Sequence, residues 1–195
     1  MLMYDYDSNG ILVHPMNNRT ATEITNAFVF SNERLSRAGL KPRFHKLDNE
    51  APKKVNYKTY RRENRPLISS LHIHRRNPAE CAMRTFKNNF IARLCSTYPN
   101  FSIQCWCRLI HQAEMTLIIL RLSRLNNKIA AYAQVNGAFD YNATPLALPG
   151  TQVLVHEAPK ERKSWDPCDF DGWYVGPAMK HYRCFRCYIP TTNNE

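Results

Sequence analysis

Residues 77–94 constrain this chain more than any other stretch. Asn77 suits an N-cap, and Pro78 at the first helical position sacrifices no hydrogen bond. Beyond it Met83, Phe86, Phe90 and Leu94 recur at three- and four-residue steps, which predicts an amphipathic helix with those four side chains inward. Glu80, Arg84 and Lys87, at i, i+4 and i+7, fall together on the polar side. A carboxylate at a helix start, with cations one and two turns on, can serve a metal ion and a phosphate backbone together. An ordinary solvated face with a Glu–Arg pair worth about 0.3–0.5 kcal/mol has the same spacing.

A chain of 195 residues can hold one good core, or one core plus a small module. Its formal net charge of +11 favours polyanionic partners, nucleic acid first, then an anionic membrane or an acidic protein. Structural binding of the ribosomal or chromatin kind would use the same charge. Residues 1–7 lack the basic start and apolar core of a signal peptide, and the apolar stretch at 115–120 is far too short to cross a bilayer. The expectation is a soluble, intracellular protein with no membrane association. Seven cysteines, an odd number, do not suggest a secreted disulfide framework, so reduced thiols are expected.

Taken in order, residues 1–7 and 11–16 read as strands about Ser8-Asn9-Gly10, a strong hairpin signal. A helix is expected over 20–38, on Ile24, Ala27, Phe28 and Leu35, with Gly39 placed to cap its C-terminus. Residues 43–48 read as a short strand ending in Asp48, and 67–70 as another. This alternation is α/β grammar. Between them, Lys53, Lys54, Lys58, Arg61, Arg62 and Arg65 are interleaved with Tyr57 and Tyr60, a mixture that suits a nucleic-acid surface or a solvated loop equally. After a turn at Tyr98-Pro99-Asn100, a second helix is expected over 102–122, with Ile103, Trp106, Ile110, Ala113, Leu117 and Leu120 as its core stripe. Residues 130–135 suit a short helix. Pro145, Pro149 and Gly150 mark a connector, so the expected division is a core over 1–137, a linker over 138–150 and a β module over 151–195. Within that module, strands are expected at 152–156, 172–176 and 181–189, as a small β-barrel-like unit.

Asp48 and Glu80 are the two acids of interest for chemistry. Carboxylates brought together from a strand end and a helix start can hold Mg²⁺, and two such ions can clamp a phosphodiester during in-line displacement. That design usually takes three convergent carboxylates, and local sequence offers no third. Cys184-Phe185-Arg186-Cys187, even with His181, lacks the four ligands of a structural zinc site. His72 and His74 fall on one side of an extended segment, a spacing open to a phosphate contact or a metal but more ordinarily used for hydrogen-bonded histidines. No nucleophile elbow or phosphate-binding glycine loop is present in the sequence. Trp173, Tyr174 and Tyr182 serve either a protein contact or the packing of the module.

Together these segments resemble the integrase region of copia-type retrotransposons, in the retroviral integrase group. The carrying residues are Tyr4-Asp5-Tyr6-Asp7-Ser8-Asn9, Leu47-Asp48-Asn49-Glu50, the run from His72 to Glu80, Arg84-Thr85-Phe86-Lys87-Asn88, and Gly172-Trp173-Tyr174-Val175-Gly176-Pro177 with His181-Tyr182-Arg183-Cys184. Residues 51–70 fit poorly. The resemblance implies a ribonuclease-H-like fold, Mg²⁺ or Mn²⁺, and an Asp, Asp, Glu triad that joins element DNA to target DNA. Asp48 matches the second Asp and Glu80 the Glu, 32 positions apart by numbering, both as catalytic and metal-holding residues. Arg84 and Lys87 match the face of the glutamate helix that meets DNA. Arg76, Lys53 and Lys54 complete the expected nucleic-acid contacts. The family's first Asp lies on the strand before the hairpin, and the chain begins inside that hairpin. The resemblance therefore implies an N-terminally truncated copy, lacking its first strand and inactive in DNA integration. DNA as partner, oligomerisation and, for a functional copy, a nuclear location also follow from the resemblance. A non-catalytic, basic DNA- or RNA-binding protein is the alternative.

Overall fold

The computed structural model describes residues 1–47, 67–69, 78–157, 160, 165 and 167–195. It is a mixed α/β structure with three separate small sheets among the described residues. By its internal contacts the chain divides into one unit of Met1–Phe86 with Leu117–Ala138, and a second of Lys87–Thr116 with Phe139–Glu195.

In the first unit β1 (Leu2–Asp5) and β2 (Gly10–Val13) pair antiparallel, from Leu2 opposite Val13 to Asp5 opposite Gly10. β1 ends two residues earlier than expected, and the cause is Asp5. Its carboxylate accepts from the Ser8 backbone N–H at 2.8 Å and from the Ser8 hydroxyl at 2.5 Å, which turns the chain at once. Asn9 completes the turn at φ 58°, the left-handed region that asparagine tolerates better than most residues.

Helix α1 (Ala21–Arg37) begins at Thr20, whose hydroxyl accepts from the Glu23 N–H. It ends as expected at Gly39, at φ 75°. Leu40 N–H donates to Leu35 carbonyl at 2.9 Å and Gly39 N–H to Ser36 carbonyl at 3.0 Å, the paired bonds of a Schellman cap. The accompanying apolar contact is present too. Leu40 packs with Met3 on a core cluster of Leu12, Leu35 and Val135. Phe28 packs with Met1, Met3 and Ile24.

β3 (His45–Leu47) and β4 (Leu67–Ser69) pair in parallel, His45 opposite Leu67. Parallel neighbours cannot be joined by a tight turn, and the two strands are well separated in the sequence.

Helix α2 (Pro78–Cys95) starts at its proline, as the sequence predicts; Asn77 lies outside the described residues. Its buried side chains are Ala82, Phe86 and Phe90, each four residues on. Met83, expected inward, is instead 51% exposed, because the buried stripe runs along one i, i+4 row and leaves its neighbouring row to solvent. Helix α3 (Trp106–Ile119) follows a single 3-10 turn, Ile103–Cys105. The expected stripe is corrected at three of its six positions: Ile103, Trp106 and Leu120 are exposed. Ile110, Ala113 and Leu117 are buried as expected, and Leu109, Gln112, Glu114, Met115 and Ile118 are buried as well, so this helix is enclosed nearly all round. Helix α4 (Ala131–Asn136) contributes buried Ala131, Tyr132 and Val135.

In the second unit β5 (Gln152–His156), β6 (Asp169–Pro177) and β7 (Phe185–Tyr188) form an antiparallel meander in that order. The expected barrel-like closure is not made. Three strands leave β5 and β7 as edges, too few for the tilt and stagger that close a barrel. Trp173 packs against Tyr98 and Phe101, with ring centroids 6.0 and 5.7 Å away. The strand expected from His181 starts only at Phe185, because Ala178 N–H donates to the Cys184 carbonyl and Arg183 turns at φ 54°.

Glu195 ties α3 to β7 through its two carboxylate oxygens, one on Arg108 and one on Arg186, each at 2.5 Å. Arg108 also stacks over the Tyr188 ring at 4.0 Å. Burial acts to raise the Glu195 pKa, but the two guanidinium groups outweigh it and hold the carboxyl below its ordinary value. A depressed carboxyl pKa stabilises the fold above the unfolded-state value and loses that contribution as pH falls through the folded-state value. Glu195→Gln should therefore cost about 1 kcal/mol at neutral pH, the size expected of a partly solvated bidentate pair. Urea melts repeated down to acid pH should show that difference shrink; a constant gap would remove the carboxylate charge from the account.

Candidate nucleic-acid interface

Of the residues expected to carry function, Glu80, Arg84 and Lys87 are described, and all three are exposed. Helical geometry sets them within a narrow arc of α2, on the side away from Ala82, Phe86 and Phe90. The sequence alternative of a Glu–Arg pair is not realised, since no ion pair joins Glu80 to Arg84. None of the three makes a side-chain hydrogen bond or ion pair with another described residue. Met83 and Ile91, 51% and 47% exposed, lie along the same side. This face therefore offers two cations unpaired among the described residues, one carboxylate and two apolar side chains to whatever approaches it.

Asp48, Lys53, Lys54 and Arg76 lie outside the described residues, as do His72 and His74. Among the described residues, no three His, Cys, Asp or Glu side chains gather where a metal ion could be held. Glu80 is the one member of the expected Asp48–Glu80 pair with a described position, and a single exposed carboxylate does not make an Mg²⁺ site. Cys184 and Cys187 are free thiols, and so are the other five cysteines. Burial raises the Cys187 thiol pKa, which makes it a poorer nucleophile. Trp173 and Tyr174 are buried in the sheet while Tyr182 is 70% exposed, so the three do not form a common surface cluster. A cleft of about 430 Å³ beside β5 is lined by Tyr98, Thr151, Gln152, Val153 and Leu154 and holds no charged side chain. No described helix is long and apolar enough to cross a membrane.

One polar cluster went unseen in the sequence. Asn9, at the hairpin turn, accepts from the Arg121 guanidinium at 2.5 Å through its side-chain oxygen and at 3.1 Å through its backbone carbonyl. Its amide donates to the Leu122 carbonyl at 2.9 Å, and the Tyr4 hydroxyl donates to its side-chain oxygen at 2.9 Å. With Asn9 and Arg121 112 positions apart in the sequence, no local pattern announces this pairing.

Compared with family models, curated proteins and solved structures, the chain finds no match.

Proposed function

We propose that this protein binds nucleic acid through the exposed side of α2, in the manner of a copia-type retrotransposon integrase core. The observation that carries the reading is that Arg84 and Lys87 stand side by side, solvent-exposed and unpaired among the described residues, on a chain of net charge +11. An unpaired surface cation loses no existing bond when it meets a phosphate, and each one that does releases a condensed counterion. The resemblance extends the proposal to a ribonuclease-H-like fold and to Mg²⁺ or Mn²⁺ held by Asp48 and Glu80. The described residues do not assemble that metal site, so no step of catalysis is routed through it.

The test is fluorescence anisotropy of the full chain with labelled duplex DNA across a salt series, without divalent metal. Affinity should fall steeply with salt. In the Arg84→Ala, Lys87→Ala double variant the slope of log K against log salt should be shallower by about 1.8, two phosphates at about 0.9 each. Glu80→Gln removes a negative charge from the same side and should leave metal-free binding unweakened. Salt-insensitive binding, or a double variant with the wild-type slope, would overturn the assignment of this face.

A further inference from the structure

We propose that the surface shared by the β1–β2 turn and the loop of residues 123–129 is a second nucleic-acid contact, selective for single strands, in which an unpaired base stacks at Tyr6 and phosphates meet Arg124 and Lys128. It rests on the nucleic-acid reading above and adds a site built from different residues.

The two tips are fastened together. Arg124 N–H and Leu125 N–H both donate to the Asp7 carbonyl at 3.1 Å, and Asn9 joins Arg121 and Leu122 beside them. The loop closes on itself, with Ser123 N–H to the Ile129 carbonyl at 3.0 Å and Lys128 N–H to the Asn126 side chain at 3.0 Å. Its tip, residues 124–128, is exposed throughout and carries two cations and no acid.

Arg121 and Arg124 are used differently. Arg121 is engaged by Asn9 and holds the turn. The Arg124 guanidinium lies 3.9 Å over the Tyr6 ring, and its N–H donors have no hydrogen-bond partner among the described residues. Tyr6 is itself 59% exposed. A guanidinium stacked on an exposed ring leaves its donor edge for a phosphate and extends a flat surface on which a base can lie. Lys128 adds a second cation, unpaired among the described residues, four residues on. Asp5 and Asp7 are the acids on the hairpin side; Asp5 is held by Ser8, and Asp7 is exposed and tempers the positive field. That balance favours stacking over charge as the larger contribution. Stacking needs an unpaired base, which a single strand offers and a duplex interior does not.

The test compares fluorescein-labelled oligo(dT) with a mixed-sequence duplex of the same length, by anisotropy of the full chain. Tyr6→Ser should weaken oligo(dT) binding by roughly 5- to 150-fold, the loss of one stacked base, and leave duplex binding within about 2-fold. Tyr6→Phe keeps the ring and should bind like the wild type. Lys128→Ala removes a side chain with no partner among the described residues, so it spares the fold, and should make the oligo(dT) salt slope shallower by about 0.7. If Tyr6→Ser and Lys128→Ala both bind oligo(dT) as the wild type does, this site is overturned. The α2 reading then stands or falls on its own double variant. A wild-type chain that binds neither DNA overturns both.

Discussion

Replacing Gly150 by alanine should destabilise the protein by about 2–4 kcal/mol, a fall of roughly 5–15 °C in its melting midpoint for a chain of this size. Two costs combine. Gly150 sits at φ 73°, in the left-handed region where a Cβ costs about 1 kcal/mol. That Cβ would also stand 2.6 Å from Thr97 Cγ2 and 2.8 Å from Thr97 Cβ, closer than carbon atoms pack. Neither side can give way easily. Gly150 N–H donates to the Tyr174 carbonyl at 2.8 Å, and its own carbonyl accepts from Tyr98 N–H at 3.2 Å. One residue thus fixes both the start of the sheet and the turn whose tyrosine packs on Trp173. The two costs separate in a double-mutant cycle. Measured against Thr97→Gly alone, Gly150→Ala should keep only the backbone part, about 1 kcal/mol. Equal losses in both backgrounds would show that the contact with Thr97 is not the cause.

The second large effect is expected at Leu35. Leu35→Ala should cost about 2–5 kcal/mol in urea unfolding, because Leu35 is 1% exposed and meets Leu12, Val135 and Leu40. Leu35→Met keeps most of the volume and should cost under about 1.5 kcal/mol. Leu120→Ala makes the informative contrast. Periodicity alone puts Leu120 in the core, but it is 78% exposed, and its loss should change stability by no more than about 0.5 kcal/mol. A Leu120→Ala variant as damaged as Leu35→Ala would mean that the stripe read from the sequence, and not the observed burial, describes the residue that follows α3.

These residues also show what kind of signal sequence reading can use. The hairpin at Asn9-Gly10, the cap at Gly39, the helix start at Pro78 and the strand Gln152–His156 were all legible. Each depends on backbone preferences of two to six adjacent residues, which tertiary contacts here reinforce. α3 was placed, but its apolar stripe was drawn too far at both ends: Ile110, Ala113 and Leu117 in its middle are buried as expected, whereas Ile103 and Leu120 lie outside the helix and Trp106 at its first position, all three exposed. Periodicity carries no information on where the packed neighbours stop. Met83 was misjudged for a different reason, since Ala82 fills the space closest to the core and a methionine tolerates the exposed row. For the candidate interface, sequence placed Glu80, Arg84 and Lys87 on one helix side but left open whether they bond to one another. In the structure no hydrogen bond or ion pair joins them.

What the sequence determined by itself was local and electrostatic: mixed α/β elements, their caps and turns, the polar side of α2, and a net charge of +11. The tertiary structure decided which apolar face goes inside, that β5, β6 and β7 stay an open sheet, and that Asn9 meets Arg121. The division follows from range. Backbone dihedral preferences and charge are properties of neighbouring residues, whereas burial and long-range hydrogen bonds exist only once distant segments exclude water between them.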